Sequence, residues 1–143
     1  MGKGKPGRRP TVPTRGTSPA QAENYLRKAE NHLASALEAA AAERWDTAVL
    51  LSVHAAISAA DAVCVSAFGV RSISPTHMDQ VRLIRELFPD VDEARKASDQ
   101  LAALLDRKNT VEYEARPSQP NDAQVAVKHA DRVVAWARKI RTA

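Results

Sequence analysis

The sequence has 143 residues, of which 44% are hydrophobic, 4% aromatic and 27% charged. Abundant alanine and the scarcity of alternating β-branched residues exclude a β-rich protein, and a single cysteine, Cys64, excludes an internal disulfide. The net charge of +4 comes from residues 1–20, which carry five basic side chains and no acidic one. The composition therefore predicts a near-neutral, all-α protein with a basic leader.

Residues 1–17 are rich in glycine, proline, arginine and threonine. We predict that they form a disordered basic N-terminal tail. Two roles stay open for this tail: it contacts phosphates nonspecifically through its charge, or it is only a solubilising leader. It has no apolar central region of the kind found in signal peptides, and we expect a cytoplasmic protein.

The first predicted helix covers residues 18–43. Ser18 is placed to cap it, Pro19 occupies its first position, and Gln21 would complete a capping box. Leucines and alanines then recur at spacings of three and four, which indicates one apolar seam facing a core.

The second predicted helix, residues 46–68, is apolar nearly all round and ends at Gly69. His54 and Asp61 interrupt its apolar surface, and a carboxylate is costly in the middle of a membrane span. We therefore predict the central buried helix of a bundle and no membrane association.

Three more helices follow in the sequence. Ser74 and Pro75 start a short one that stops at Pro89, the fourth covers about 90–110, and Asn121 caps the fifth. The segment EARPSQPND between the last two is predicted to be a loop. The fold class is then an antiparallel four-helix bundle with a short extra helix, over residues 18–141.

Polar side chains on these helices give two candidate features. The four histidines fall on different predicted helices without metal-binding spacing, so we expect solvated or hydrogen-bonded histidines, no metal site and no cofactor; they are His32, His54, His77 and His129. His54, Ser58 and Asp61 form a polar line on the second helix. This line either faces solvent or a neighbouring helix, or supports a site built by another helix.

The densest group of ionisable residues lies at the end of the fourth helix, in LLDRKNTVEYEARP. Arg107, Lys108, Asn109, Glu112 and Tyr113 follow directly after two seam leucines. One interpretation is structural, because helix ends are polar and C-termini favour cations. The other is a binding site.

The sequence resembles the HEPN domains of prokaryotes in three segments: YLRKAENHLASALEAA, RWDTAVLLSVHAAISAADAV and DRKNTVEYE. The family motif is an arginine followed four to six residues later by a histidine. The resemblance matches Arg107 to the motif arginine and Asn109 to its neighbouring amide, while Glu112 or Tyr113 stands where the histidine belongs. It implies a homodimer in which the arginine holds an RNA phosphate and the histidine moves a proton.

Proton transfer at neutral pH needs a group that titrates near 7. Glutamate ordinarily titrates at about 4.3 and tyrosine at about 10. The first hypothesis is therefore a homodimeric HEPN-like protein that binds RNA or a partner protein, as a toxin–antitoxin component with a small nucleotidyltransferase. RNA contacts would come from Arg107, Lys108, Asn109 and Tyr113, with Asp61 orienting Arg107 and His54 beside Asp61.

Two alternatives remain open. The first is a ribonuclease with a variant motif that acts without metal and uses Arg107, Asn109, Glu112 and Tyr113 as catalytic residues. The second is a non-catalytic adaptor bundle in which the polar group only ends a helix.

Overall fold

The computed structural model describes residues 10–142, with the backbone alone for Thr142. It contains five helices: α1 Ala22–Ala41, α2 Trp45–Phe68, α3 Met78–Leu87, α4 Asp92–Tyr113 and α5 Pro120–Thr142. A 3-10 turn, Pro19–Gln21, leads into α1. Two short antiparallel strands, β1 Thr14–Gly16 and β2 Val70–Ser72, form a ribbon beside the helices. The prediction of an all-α bundle with one short extra helix is confirmed.

Helix α2 is the centre of the bundle and contacts each of the other four helices. Small side chains such as Ala55, Ala56, Ala59 and Ala60 are completely buried along it, so neighbouring helix axes can approach closely. By length and apolar composition α2 could cross a membrane, but 67% of its apolar window is buried inside the bundle. Its hydrophobicity is therefore explained by the core.

The N-terminal segment differs from the sequence prediction. Residues 10–17 were predicted to be disordered, yet Thr14–Gly16 pairs with Val70–Ser72 and Val12 is buried. The amide and hydroxyl of Thr11 donate hydrogen bonds of 3.0 and 2.5 Å to the carboxylate of Glu86. Burial of Val12, pairing with Val70–Ser72 and the hydrogen bonds to Glu86 hold this segment, and composition reveals none of them. The prediction for residues 1–9 lies outside the described residues.

The helix ends also differ in detail. The Ser18 side chain makes no capping hydrogen bond, and Gln21 accepts instead from Asn24 at 2.8 Å, so the predicted capping box does not form. Helix α5 begins at Pro120, before the predicted cap Asn121. Gly69 ends α2 in the left-handed conformation with φ +66°, as predicted.

Candidate functional site

A cleft of about 420 Å³ lies between the second half of α4 and the first half of α5. Its volume is within the range of ligand sites, about 300–1,000 Å³. Polar and charged side chains make up most of its lining, which consists of Ala103, Asp106, Arg107, Thr110, Arg116, Asp122, Val125 and His129.

Asp122, in the first turn of α5, is the centre of the hydrogen bonds in this cleft. Its side chain is only 5% exposed. One carboxylate oxygen accepts from Arg107 Nη1 at 2.6 Å, and the other accepts from Arg116 Nη1 at 2.9 Å and from the Gln119 amide at 2.8 Å. The hydrogen bond from Arg116, then that from the Gln119 amide, lowers the pKa of Asp122 to about 2. The carboxylate is therefore ionised at neutral pH and holds both guanidinium groups.

The loop between α4 and α5 is fixed by further polar contacts. Arg116 Nε donates to Glu114 at 2.6 Å. The Ser118 amide donates to Asp46 Oδ1, at the start of α2, at 2.7 Å, and this hydrogen bond lowers the pKa of Asp46. The cleft is thus connected to α2 as well as to the two helices that form it.

Both arginines keep donor groups for a ligand. A guanidinium has five N–H donors, and Asp122 uses only Nη1 of Arg107, whose side chain remains 31% exposed. Arg116 uses Nε and Nη1. Because the buried carboxylate fixes their positions, the remaining N–H groups are presented with little loss of side-chain entropy on binding.

His129 lies on α5 two turns after Asp122, which is nearly the same face of the helix, and lines the same cleft. Its Nδ1 is hydrogen-bonded to Oε1 of Gln100 on α4. Burial, and then the positive charges of Arg132 and Arg107, lower the pKa of His129 below 6.5. The imidazole is therefore mostly neutral at pH 7.

The other residues selected on α4 do not share the cleft. At about 100° per residue, Asn109, Glu112 and Tyr113 point about 160°, 140° and 120° away from Arg107 around the helix. Lys108 forms an ion pair with Glu112 at 3.0 Å, and Tyr113 is 92% exposed. Of the residues predicted from the motif, the structure brings only Arg107 into the cleft.

The predicted support of Arg107 by Asp61 is wrong, because Asp122 is the carboxylate that binds Arg107. Asp46, near the cleft, and Asp61 are 15 residues apart on α2, or about 22 Å along the helix. His54 is also elsewhere: its ring lies 5.6 Å from that of His32, on the face formed by α1 and α2.

Asp61 belongs to a different polar cluster. It accepts a hydrogen bond from Gln80 Nε2 at 2.8 Å. Burial raises the pKa of Asp61 to about 6, although the charge of Arg71 acts in the opposite direction. These residues line a separate cavity of about 270 Å³ beside β2 and α3.

Sequence reasoning missed Asp122, Arg116 and His129 as site residues. Arg116 and Asp122 fall in the segment predicted to be a loop, and His129 stands alone in the sequence. The seven-residue spacing of Asp122 and His129 was the one available signal, but using it requires knowing which face of α5 meets α4. Within residues 10–142 the structure places no three metal-binding side chains together.

The HEPN domain profile matches residues 22–140, from the start of α1 to the last turns of α5. The chain therefore belongs to the HEPN family. Neither a comparison with curated proteins nor one with solved structures found a match.

Proposed function

We propose that this HEPN-domain protein binds RNA, with the phosphodiester backbone in the cleft between α4 and α5. Arg107 and Arg116 would contact the phosphate. The observation that carries the proposal is that both guanidinium groups are held on one buried carboxylate, Asp122, with donors left over in an open cleft.

The physical argument rests on geometry more than on charge. The charges of Arg107 and Arg116 are balanced by those of Asp106 and Asp122 in the lining of the cleft, and Glu114 also pairs with Arg116, so net charge does not attract an anion to the site. The planar guanidinium, however, matches the oxygen atoms of a phosphate with two parallel hydrogen bonds. A phosphate that replaces water at these donors would gain charge-assisted hydrogen bonds without first having to order the arginines.

RNA binding is tested with a fluorescently labelled single-stranded RNA and measurement of fluorescence anisotropy. Arg107→Ala leaves Asp122 paired with Arg116 and the Gln119 amide, so we expect this variant to fold. We expect its affinity for RNA to fall about tenfold and its salt dependence to lose about 0.7 of a unit of slope, because one phosphate contact disappears.

Arg95→Ala is the matched control. It removes the same charge from the same helix, but Arg95 forms an exposed ion pair with Asp92 about 18 Å from Arg107 along α4. We expect less than a twofold change. If Arg107→Ala binds RNA as tightly as the wild-type protein, the proposal is wrong and the cluster only joins α4 to α5, as expected for an adaptor bundle.

We also propose that the chain acts as a homodimer in the cytoplasm, and sedimentation equilibrium tests the oligomeric state. A monomer at micromolar concentration would contradict this part of the proposal. Pairing with a small nucleotidyltransferase in a toxin–antitoxin system stays a prediction that rests on the family resemblance, and co-purification of the two proteins would test it.

A further inference from the structure

We propose that the cavity beside β2 and α3 binds a small α-amino acid as a zwitterion, with its ammonium group on Asp61 and its carboxylate on Arg71. The proposal does not depend on RNA binding, because this cavity and the cleft between α4 and α5 lie near opposite ends of α2. Three observations carry it: two opposite charges that share a cavity without pairing, polar atoms of its lining that have no partner, and its size.

The two charged side chains of this cavity have opposite signs. Asp61 and Arg71 both line it, but the structure of residues 10–142 shows no direct ion pair between them. Asp61 Oδ1 accepts from Gln80 at 2.8 Å, and Arg71 Nη1 donates to the Tyr25 hydroxyl at 2.9 Å. These contacts leave the other carboxylate oxygen and most of the five guanidinium N–H donors for a ligand. Since a buried charge is costly unless it is paired, each group favours a ligand atom of opposite charge.

Two further polar atoms of the lining strengthen this division of charge. Within residues 10–142, Gln80 Oε1 and Arg71 Nε are buried without a hydrogen-bond partner, although buried polar atoms of proteins are nearly always paired. Gln80 is only 4% exposed, and its Nε2 donates to Asp61 and to the carbonyl oxygen of Ile57 at 3.0 Å. Because both partners are acceptors, the amide nitrogen must face them. The negative end of the amide therefore adds to the carboxylate, and the Nε–H adds to the guanidinium.

The size of the cavity restricts the ligand to a few heavy atoms. Its volume of about 270 Å³ equals that of about nine water molecules at about 30 Å³ each. Sites for drug-sized ligands are larger, at about 300–1,000 Å³. Ile57 and Ile73 add apolar surface to the lining. An α-amino acid with a short aliphatic side chain, such as alanine or valine, combines the two charges with an apolar group of this size.

Charged groups reach Asp61 from three elements of the fold. Burial raises the pKa of Asp61 to about 6, and the charges of Arg71 on β2 and Lys28 on α1 oppose that increase. On the side of α3, His77 lines the cavity, while Asp79 is already in an ion pair. An ammonium group in contact with Asp61 would stabilise the ionised carboxylate and lower its pKa.

The test titrates the protein with L-alanine at pH 7.5 and measures binding by isothermal titration calorimetry. We expect a dissociation constant of about 0.1 mM. N-Acetylalanine lacks the ammonium group and alaninamide lacks the carboxylate, so each should bind at least about tenfold more weakly. Alaninamide also stands in for the N-terminus of a peptide, and its weak binding would distinguish a free amino acid from a peptide ligand.

Two variants test the two charges separately. Asp61→Asn keeps the acceptor for Gln80 and removes the negative charge, whereas Arg71→Met removes the guanidinium. Each should weaken binding of L-alanine at least about tenfold. Asp131→Asn and Arg82→Met make the same changes at exposed positions outside the cavity, and both should bind within about twofold of the wild-type protein. Far-ultraviolet circular dichroism checks that each variant is folded.

A carbon-13 NMR titration of the aspartate carboxyl groups in the wild-type protein adds a measurement that needs no variant. Saturating L-alanine should lower the pKa of Asp61 from about 6 by about one pH unit or more. N-Acetylalanine at the same concentration should leave that pKa unchanged, because it brings no positive charge to the carboxylate.

The proposal is overturned if L-alanine gives no heat of binding and leaves the pKa of Asp61 unchanged, since the cavity then holds only water. It is also overturned if alaninamide binds as tightly as L-alanine, or if Asp61→Asn binds L-alanine like the wild-type protein. Binding of RNA that depends on Arg107 is measured separately, so either proposal can fail while the other stands.

Discussion

Two aspartates at opposite ends of the bundle, Asp122 and Asp61, show how the pKa of one side-chain type can be shifted in opposite directions. Asp122 has its pKa lowered to about 2, whereas the pKa of Asp61 is raised to about 6. Both carboxylates accept hydrogen bonds from the protein. They differ in their hydrogen-bond donors, since Asp122 accepts from two guanidinium groups and a backbone amide.

Asp61 lies near the positive charge of Arg71, but the two side chains do not pair directly. The guanidinium of Arg71 donates instead to the Tyr25 hydroxyl at 2.9 Å and lies over its ring. Gln80, a neutral amide, is the side chain that reaches Asp61. Burial destabilises an ionised carboxylate by more free energy than one hydrogen bond from a neutral donor restores. Direct contact with a guanidinium therefore decides in which direction the pKa of each aspartate is shifted.

Replacing Asp122 should have the largest effect on stability. Asp122→Ala leaves three donors without their acceptor, and we expect the free energy of unfolding at pH 7 to fall by about 2–3 kcal/mol. Urea denaturation measures it. Asp99→Ala, which breaks an exposed ion pair with Arg85, should cost less than about 1 kcal/mol.

The pH dependence sharpens this prediction. Because the pKa of Asp122 is lower in the folded state than in the unfolded state, its stabilisation is complete above about pH 4 and disappears as the pH falls to about 2. The difference between the wild-type protein and Asp122→Ala should therefore shrink over this range. A constant difference would show that the ion pairs contribute nothing.

Asp61→Asn should act in the opposite direction. The folded pKa is raised, so the wild-type protein loses stability as the pH rises from about 4 to about 6. The asparagine keeps an acceptor for Gln80 and has no charge to bury. We expect it to raise the free energy of unfolding by about 1–2 kcal/mol at pH 7.5, with little change at pH 4. The exposed Asp131→Asn should change neither value, and a destabilised Asp61→Asn at pH 7.5 would contradict our account.

Arg71→Met should have a smaller and more local effect. Without the positive charge of Arg71, the pKa of Asp61 should rise further above 6, by up to about one pH unit. A carbon-13 NMR titration of the aspartate carboxyl groups would measure it. Arg82→Met, which removes an exposed partner of Asp79, should leave the titration of Asp61 unchanged.

The smallest effect is expected on the exposed face of α4. Lys108→Ala removes an ion pair with Glu112 that is largely open to solvent on the glutamate side, and should cost about 0.3 kcal/mol. The melting temperature should fall by about 1 °C. A loss comparable to that of Asp122→Ala would mean that the ionisable residues of α4 form one connected network.

The bundle itself could be predicted because apolar periodicity is local information. Leu101 and Leu104, assigned to the inner face of the fourth helix, are fully buried, and Gly69 ends α2 in the left-handed conformation. The ribbon could not be predicted in the same way. Thr14–Gly16 shows no strand pattern of its own and is a strand only through its pairing with Val70–Ser72, which is distant in the sequence.

The candidate site was visible only in part. A family motif selects Arg107, but its carboxylate partner Asp122 is 15 residues away, beyond a turn whose geometry the sequence does not specify. The spacing of polar residues in the sequence indicated Asp61 as the partner of Arg107 instead, because Asp61 lies on the polar line of the second helix. His129 becomes prominent only when α4 and α5 are placed side by side, since no local pattern relates it to Arg107.

The hydrogen bond from the Ser118 amide to Asp46 provides a spectroscopic probe of ligand binding in the cleft. Asp46 begins α2, while Ser118 belongs to the loop whose arginine reaches Asp122. An anion that draws Arg116 towards itself would displace this loop relative to α2. The proton resonance of that single amide, and its rate of exchange with deuterium, should then reveal whether the cleft is occupied.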